Sequence, residues 1–337
     1  IVMLKNDGVL PYKAGSEVAV FGRVQIDYFA TGYGSGGDVR KPYVVNLIDG
    51  LKNSNELKVN EYLENIYREW VKNNPVDHGF WAHWPRSHPE MKLTDEIVES
   101  AAKSASEAIV VLGRSAGEDR ENALEAGSYY ITDDELNMLR AISKSFDSIT
   151  LLLNIGSVMD LSFIDEFSDK IKAILIVWQG GMESGNAIAD VLTGKVSPSG
   201  HLADTIVKDY KDYPCANDFG RKDYCNYVED IYVGYRYFET FKKDRVLYPF
   251  GYGLTYTKFD LSLNKVKMDN KLFAFSINVK NIGNFKAKEV VQIYLQKPNT
   301  PIDNPYRQLV GFIKSEDLNP SDEVTLEVKV PMNELKV

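Results

Sequence analysis

The run Ala108-Ile109-Val110-Val111-Leu112-Gly113-Arg114-Ser115-Ala116-Gly117-Glu118-Asp119-Arg120 sets the architecture of the first part of the chain. Residues 109–112 form an unbroken apolar stretch, short enough for a buried strand. Gly113 and a polar cluster ending in Glu118 follow at once. Open α/β sheets bind ligands in the crevice outside the carboxyl ends of their strands. A carboxylate at that place is well positioned for proton transfer. A charged surface loop is the plain alternative, and spacing alone does not separate the two.

The same pattern recurs on both sides of this run. Residues 18–21, 149–153 and 174–178 are further apolar strand candidates. Between them lie helical patterns with recognisable starts. Thr94 can cap a helix whose first turn carries Asp95 and Glu96, which suits the helix dipole. Thr132 to Glu135 fits a capping box, with Leu136 and Leu139 on one face of the helix it opens. Residues 183–192 read as a helix ended by Gly194, and Gly180-Gly181 marks the tight turn before it. Alternating strands and helices over about the first 208 residues predict an α/β domain with parallel strands. The opening residues, Ile1-Val2-Met3-Leu4-Lys5-Asn6-Asp7, read as a chain entered in the middle of a helix. They have no basic n-region and no long h-region, so they are not a signal peptide. That favours a cytoplasmic location, with the true N-terminus left open.

Residues 53–92 look like an insertion. Residues 60–73 form a polar helical segment with Tyr62, Ile66 and Trp70 at helical spacing, followed by Phe80-Trp81-Ala82-His83-Trp84-Pro85. So much aromatic surface in a loop is costly unless it packs on something. Trp81 and Trp84 either cover the mouth of a binding site or pack back on their own domain.

Composition narrows the function. A chain of 337 residues has room for roughly two domains. With 44% hydrophobic and 26% charged residues it is an ordinary globular protein. The net charge of −9 and the lack of a Lys/Arg run argue against nucleic acid and against anionic membrane as partners. No apolar run approaches the ~20 residues of a membrane span. A neutral polar ligand such as a sugar fits this balance, and the 20 Tyr and 4 Trp offer rings that can stack on apolar sugar faces. The histidines, His78, His83, His88 and His201, are scattered, and no Cys/His spacing matches a metal site, so no metal is expected. A disulfide between Cys215 and Cys225 is left open.

Two motifs can be set aside. Gly32-Tyr33-Gly34-Ser35-Gly36-Gly37 only loosely resembles a dinucleotide fingerprint. It neither follows a strand directly nor opens a helix. The same Gly34-Ser35-Gly36 lacks the spacing of a serine-hydrolase nucleophile elbow.

From 209 to 255 periodicity lapses in a stretch rich in Asp, Tyr, Gly and Pro, which reads as an extended, surface-wrapping connection. After Tyr256 the texture becomes one of short alternating strands, at 259–263, 272–279, 290–295, 309–313 and 324–330. Turn signals such as Asn281-Ile282-Gly283-Asn284 separate them. This predicts a β-sandwich, with five strands counted where about seven are usual.

Several of these blocks resemble glycoside hydrolase family 3, the β-glucosidases and their relatives. Asn6-Asp7-Gly8-Val9-Leu10-Pro11, followed by Val18-Ala19-Val20-Phe21-Gly22, is similar to the family's entry into its second domain. Gly113 to Arg120 and then Gly127-Ser128-Tyr129-Tyr130 resemble its acid/base loop and the approach to the next helix. Trp178-Gln179-Gly180-Gly181-Met182-Glu183 and Asp190-Val191-Leu192-Thr193-Gly194 match later blocks. The most specific is Tyr232-Val233-Gly234-Tyr235-Arg236-Tyr237-Phe238 followed by Tyr248-Pro249-Phe250-Gly251-Tyr252-Gly253.

The resemblance implies an α/β sandwich domain over residues 1–208 that carries the acid/base loop. After the connection at 209–255 it implies a fibronectin type III-like β-sandwich over 256–337, incomplete at its C-terminus. It implies retaining hydrolysis of a β-glucoside or related oligosaccharide without a cofactor. An Asp nucleophile would come from a TIM-like barrel that no region here can supply, since such a barrel needs ~250 residues. The aromatic segment at 75–91 resembles the permuted members, in which the barrel follows the sandwich. By itself the chain would then be an inactive fragment. Glu118 aligns with the acid/base, and Arg114, Asp119, Arg120, Trp81 and Trp84 are the expected substrate-side residues. The family loop often reads Glu-Gly-x-Asp-Arg, whereas here Asp119-Arg120-Glu121 follows Glu118 directly, so Glu121 and Glu125 remain alternatives for the acid. A non-catalytic carbohydrate-binding or scaffold module is the competing reading, and a homo-oligomer is left open.

Overall fold

The computed structural model describes residues 1–34, 36, 39–118, 122–269, 271–298 and 301–335. They divide into two compact units, residues 1–196 and 197–337.

The first unit is built on a six-stranded sheet, with β1 (Val2–Asn6), β2 (Glu17–Phe21), β3 (Lys58–Val59), β4 (Glu107–Arg114), β5 (Ile149–Ile155) and β6 (Ile171–Ile176) in the order β1-β6-β5-β4-β2-β3. The central strands β4 and β5 are almost entirely buried. That explains why their sequences are near-continuous apolar runs rather than alternating ones. Helices α1 (Leu47–Ser54), α2 (Glu61–Asn73), α3 (Asp95–Ala102) and α4 (Asp133–Ser145) lie between the strands in sequence, and α5 (Ser184–Leu192) follows β6. Their starts follow local side-chain chemistry. Asn46, Asn60, Thr94 and Thr132 each accept a hydrogen bond from a first-turn N–H, and Thr132 with Glu135 completes the capping box.

Two expectations need correction. Residues 2–6 are not helical: they form β1, antiparallel to β6, with Val2 opposite Ile176 and Asn6 opposite Ala173. A short apolar run does not distinguish helix from strand, and here the free edge of β6 decides it. The sheet is therefore mixed rather than all parallel. The helix α1, despite its Asn46 cap, and the short strand β3 were not anticipated.

In the second unit, β7 (Ile206–Val207) pairs antiparallel with β8 (Val246–Tyr248), and α6 (Tyr235–Phe241) lies between them in sequence. The stretch expected to be an extended connection therefore contains a helix and a paired strand. Aromatic contacts hold it: Tyr235 stacks on Phe250 with centroids 4.4 Å apart, and the buried Phe238 meets Tyr213 edge-on at 5.8 Å. Cys215 and Cys225 are free thiols. The strands that follow are β9 (Phe259–Met268), β10 (Leu272–Asn281), β11 (Val290–Leu295), β12 (Gln308–Lys314) and β13 (Glu323–Pro331). They form one sheet in the order β13-β10-β9 and a second of β11 and β12, with a core of Ile277, Val279, Val291, Leu318, Val328 and Val330. This is the α/β-plus-β-sandwich plan that the sequence predicted. The Asn281 turn is side-chain built: its Nδ2 donates to the carbonyls of Phe285 and Leu318, and its Oδ1 accepts from Gly283 N and Thr257 Oγ1.

Candidate active site

The loop after β4 is held against the glycine-rich loop that follows β2. Tyr33 N donates to Ala116 O (2.9 Å) and Glu118 N donates to Tyr33 O (3.2 Å). The contact is too close for side chains on the glycines. A Cβ on Gly32 would lie 2.7 Å from Ala116 O, and one on Gly34 would lie 2.4 Å from Glu118 Cβ. Gly34 also has a φ of +86°, a left-handed conformation that favours glycine. The glycines rejected above as a nucleotide fingerprint thus seat the main chain of Glu118, while its side chain lies exposed at the carboxyl end of β4.

Neighbouring strand ends are braced in the same rim. Asn154, at 0% exposure near the end of β5, accepts from Phe29 N (2.9 Å) and donates to Phe29 O (3.0 Å) and Trp178 O (2.7 Å). Trp178, just past β6, has a φ of +56°, which a bulky residue rarely adopts. Strain of this kind persists only where surrounding contacts over-determine it. Here Asn154 and the Tyr28 hydroxyl (3.3 Å) both donate to the Trp178 carbonyl. Burial pushes the Tyr28 phenol up to about 12, so it remains a neutral donor.

The aromatic insertion packs beside the Glu118 loop. Trp84 is buried and stacks on Tyr33, with centroids 5.3 Å apart and planes within 2°. Trp81 meets Trp84 edge-on at 5.2 Å but remains 54% exposed. Ser115, the first residue after β4, donates its N–H to Arg86 O (2.8 Å) and its hydroxyl to Pro85 O (2.6 Å). Further along, His88 stacks on Phe29 at 4.5 Å. The Glu90 carboxylate accepts from Arg23 N (2.8 Å) and Met91 N (2.7 Å). Burial pushes the Glu90 carboxyl up to about 8, and burial together with Arg23 pulls the His88 imidazole down to about 4. Between this insertion and the loop after β2 lies a cleft of about 330 Å³ with Tyr33 in its lining.

The expected site residues divide as follows. Glu118, Trp84 and Trp81 lie on or next to one rim. Arg114 is an internal group: its side chain is 1% exposed and all its donors are engaged within the protein. Nε donates to Ser128 O, Nη1 to Gly113 O and Glu135 Oε1, and Nη2 to Tyr130 O and Glu135 Oε2, at 2.7–3.2 Å. The arginine ties the end of β4 to the start of α4. Asp119, Arg120 and the alternative Glu121 lie outside the described residues. The other alternative, Glu125, pairs its carboxylate with Arg86 at 2.5 Å. Tyr33, Asn154 and Gln179 were missed. Gln179 Oε1 would stand 2.7 Å from a Cβ on Gly156, between the loops after β5 and β6. Only the spacing of Gly32 and Gly34 hinted at Tyr33, by marking a close backbone approach.

Comparison with known proteins fits this geometry to one family. The model of the glycosyl hydrolase family 3 C-terminal domain matches residues 1–256, and that of a fibronectin type III-like domain matches 289–337. A β-glucosidase from Ruminococcus albus is 46% identical over 98% of this chain and 34% of its own length. β-Glucosidase A from Butyrivibrio fibrisolvens is 36% identical over 99% of this chain and 45% of its own. The crystal structure of a β-glucosidase from Paenibacillus barengoltzii matches with a TM-score of 0.96 at 44% identity, covering 98% of this chain and 37% of that one. β-Glucosidase 3B from Thermotoga neapolitana, solved in complex with glucose, gives 0.90 at 33% identity, covering 99% of this chain and 47% of that one. The chain thus spans between a third and a half of the length of these relatives.

Proposed function

The chain belongs to glycosyl hydrolase family 3, and from that membership we propose that it carries the proton-transfer half of an enzyme that hydrolyses β-glucosides with retention. Glu118 is the general acid and base. The nucleophilic carboxylate lies in a barrel domain of the same enzyme, outside residues 1–337. The observation that supports this reading is the seat of Glu118, an exposed residue whose main chain is pinned by Tyr33 O beyond the carboxyl end of β4.

In the first step the nucleophile attacks the anomeric carbon. The bond to the glycosidic oxygen breaks, and that oxygen takes the Glu118 proton. In the second step the Glu118 carboxylate takes a proton from water, the water oxygen attacks the anomeric carbon, and the ester to the nucleophile breaks. The two carboxyl groups of a retaining site stand ~5–5.5 Å apart. While the nucleophile is charged, it favours the protonated form of Glu118. Once it is esterified that repulsion is gone, and Glu118 is released to act as a base.

The test is Glu118→Gln in the full-length enzyme. Hydrolysis of an alkyl glucoside slows by about 10²–10⁴-fold, the usual worth of a general acid. Activated aryl glucosides suffer least at the first step, and azide restores their turnover by attacking the glycosyl-enzyme without a base. Near-normal alkyl glucoside rates in Glu118→Gln, with loss in Glu121→Gln or Glu125→Gln, would move the assignment along the loop. Residues 1–337 produced alone show no turnover of either substrate; measurable hydrolysis by that piece would refute the shared site.

A further inference from the structure

We propose that Gln179, in the loop after β6, is a positioning residue for Glu118: its amide wedges against Ala116 and fixes where the main chain of the acid loop sits. The role rests on the reading of Glu118 as the acid. Two glycines locate the wedge. A Cβ on Gly156, after β5, would lie 2.5 Å from Ala116 Cβ, 2.7 Å from Gln179 Oε1 and 2.9 Å from Gln179 Cδ. A Cβ on Gly32, after β2, would lie 2.7 Å from Ala116 O and 3.4 Å from the same Gln179 oxygen. Ala116 and the Gln179 amide therefore share one space between these glycines, where the loops after β2, β4, β5 and β6 converge. From Ala116 the link runs through hydrogen bonds. Its carbonyl accepts from Tyr33 N, and the Tyr33 carbonyl accepts from Glu118 N.

The approach to Gln179 is itself held. Trp178, the residue before it, keeps its left-handed φ of +56° while Asn154 and Tyr28 both donate to its carbonyl. Backbone strain of this kind collects where a site must be held in place. At its far end the side chain acts by contact: Gln179 Nε2 is buried and finds no hydrogen-bond partner among the described residues. Position is then carried by shape, and a side chain of similar length that fills the same gap substitutes for it.

The experiment compares kcat/KM of the full-length enzyme for an alkyl glucoside with that for a nitrophenyl β-glucoside, whose leaving group needs little protonation. Gln179→Ala opens a gap beside Ala116 and lets the acid loop shift. The alkyl-to-aryl ratio falls about 10-fold or more, since a displacement of roughly 1 Å can cost about 10²-fold. The alkaline limb of the pH profile moves to lower pH, because an acid displaced from the charged nucleophile holds its proton less firmly. Gln179→Met restores most of the ratio. It also melts no lower than the unaltered protein, because losing Nε2 strands no acceptor among the described residues. An unchanged ratio in Gln179→Ala overturns the proposal. So does an equal loss on both substrates with the alkaline limb in place, which marks general damage to the fold. If Gln179→Met does no better than Gln179→Ala, shape is not what places the loop, and the proposal falls. Glu118→Gln, measured in parallel, separates the two readings. A harmless Glu118→Gln rejects the acid and this role with it. A damaging Glu118→Gln with an unshifted ratio in Gln179→Ala rejects the role alone.

Discussion

Replacing Gly34 with alanine tests whether the two loops truly seat Glu118. The new Cβ would stand 2.4 Å from Glu118 Cβ, 2.9 Å from its carbonyl oxygen and 3.0 Å from its Cα. None of these atoms can move by turning a side chain, so the main chain at residue 118 must shift by roughly 1 Å to restore ordinary contact. A displacement of that size at a reacting group can cost about 10²-fold in rate. Holding alanine at φ +86° adds about 1–2 kcal/mol of backbone strain. For a unit of this size that corresponds to a loss of roughly 2–8 °C in Tm. The assay is kcat on an alkyl glucoside beside a thermal melt of the same full-length protein. Gly36→Ala is the control, because a Cβ there meets nothing within 4 Å among the described residues. The expected result is a large loss of kcat with a modest loss of Tm for Gly34→Ala and little change in either for Gly36→Ala. A Gly34→Ala enzyme with full kcat on alkyl glucosides, despite a lowered Tm, would refute the idea that this contact places the acid.

Three further outcomes follow from buried groups. Arg114→Met strands the Glu135 carboxylate at 5% exposure and should cost about 3–5 kcal/mol, read as a lower urea midpoint, with much of it regained in Arg114→Met/Glu135→Leu. Asn154→Leu leaves the Phe29 N–H without its partner and removes a donor from two carbonyls; at ~1–3 kcal/mol for a buried group left unpaired, it should lower the denaturant midpoint and speed amide exchange at Phe29. Glu90 and His88 give stability a pH profile. The Glu90 carboxyl rises from an ordinary 4.5 to about 8 on folding, so the folded chain retains a proton that the unfolded chain has lost, and stability declines as pH climbs between those values. His88 falls from 6.5 to about 4, so its contribution grows as pH climbs from 4 to 6.5 and opposes the Glu90 trend there. Between about pH 6.5 and 8 only Glu90 of this pair still contributes, at no more than ~1.4 kcal/mol per pH unit, and Glu90→Gln should flatten that part of the melting profile.

What could be read from the chain without coordinates was whatever neighbours in sequence determine. The apolar runs of β4 and β5 and the caps at Thr94 and Thr132 depend on residues within a turn or a strand, and they appear where expected. β1 was misread because its conformation is settled by β6, far away in sequence. Arg114 was expected on the substrate side from the family resemblance alone; its burial against Glu135, 21 positions on, is a tertiary contact that no local pattern reports. Trp81 and Trp84 are the same residue three positions apart, yet one is 54% and the other 7% exposed. The ring of Tyr33 stacks on Trp84, and no periodicity in a loop reports that contact. The seat of Glu118 was hidden for the same reason, since it is a main-chain contact between loops some eighty residues apart.

Part of the fastening of the insertion at 75–91 runs through its main chain, beside the side-chain anchors Trp84, His88 and Glu90. Ser115 is held by the carbonyls of Pro85 and Arg86, and Arg23 reaches the carbonyls of Asn74 and Pro89. Such anchors are blind to side-chain identity. Mutations can therefore accumulate at the exposed positions between them, such as Phe80 and Trp81, while the loop keeps its place beside the Glu118 segment. Selection could remodel which molecules this rim accepts by drift within one exchangeable cassette, leaving the sheet beneath it untouched.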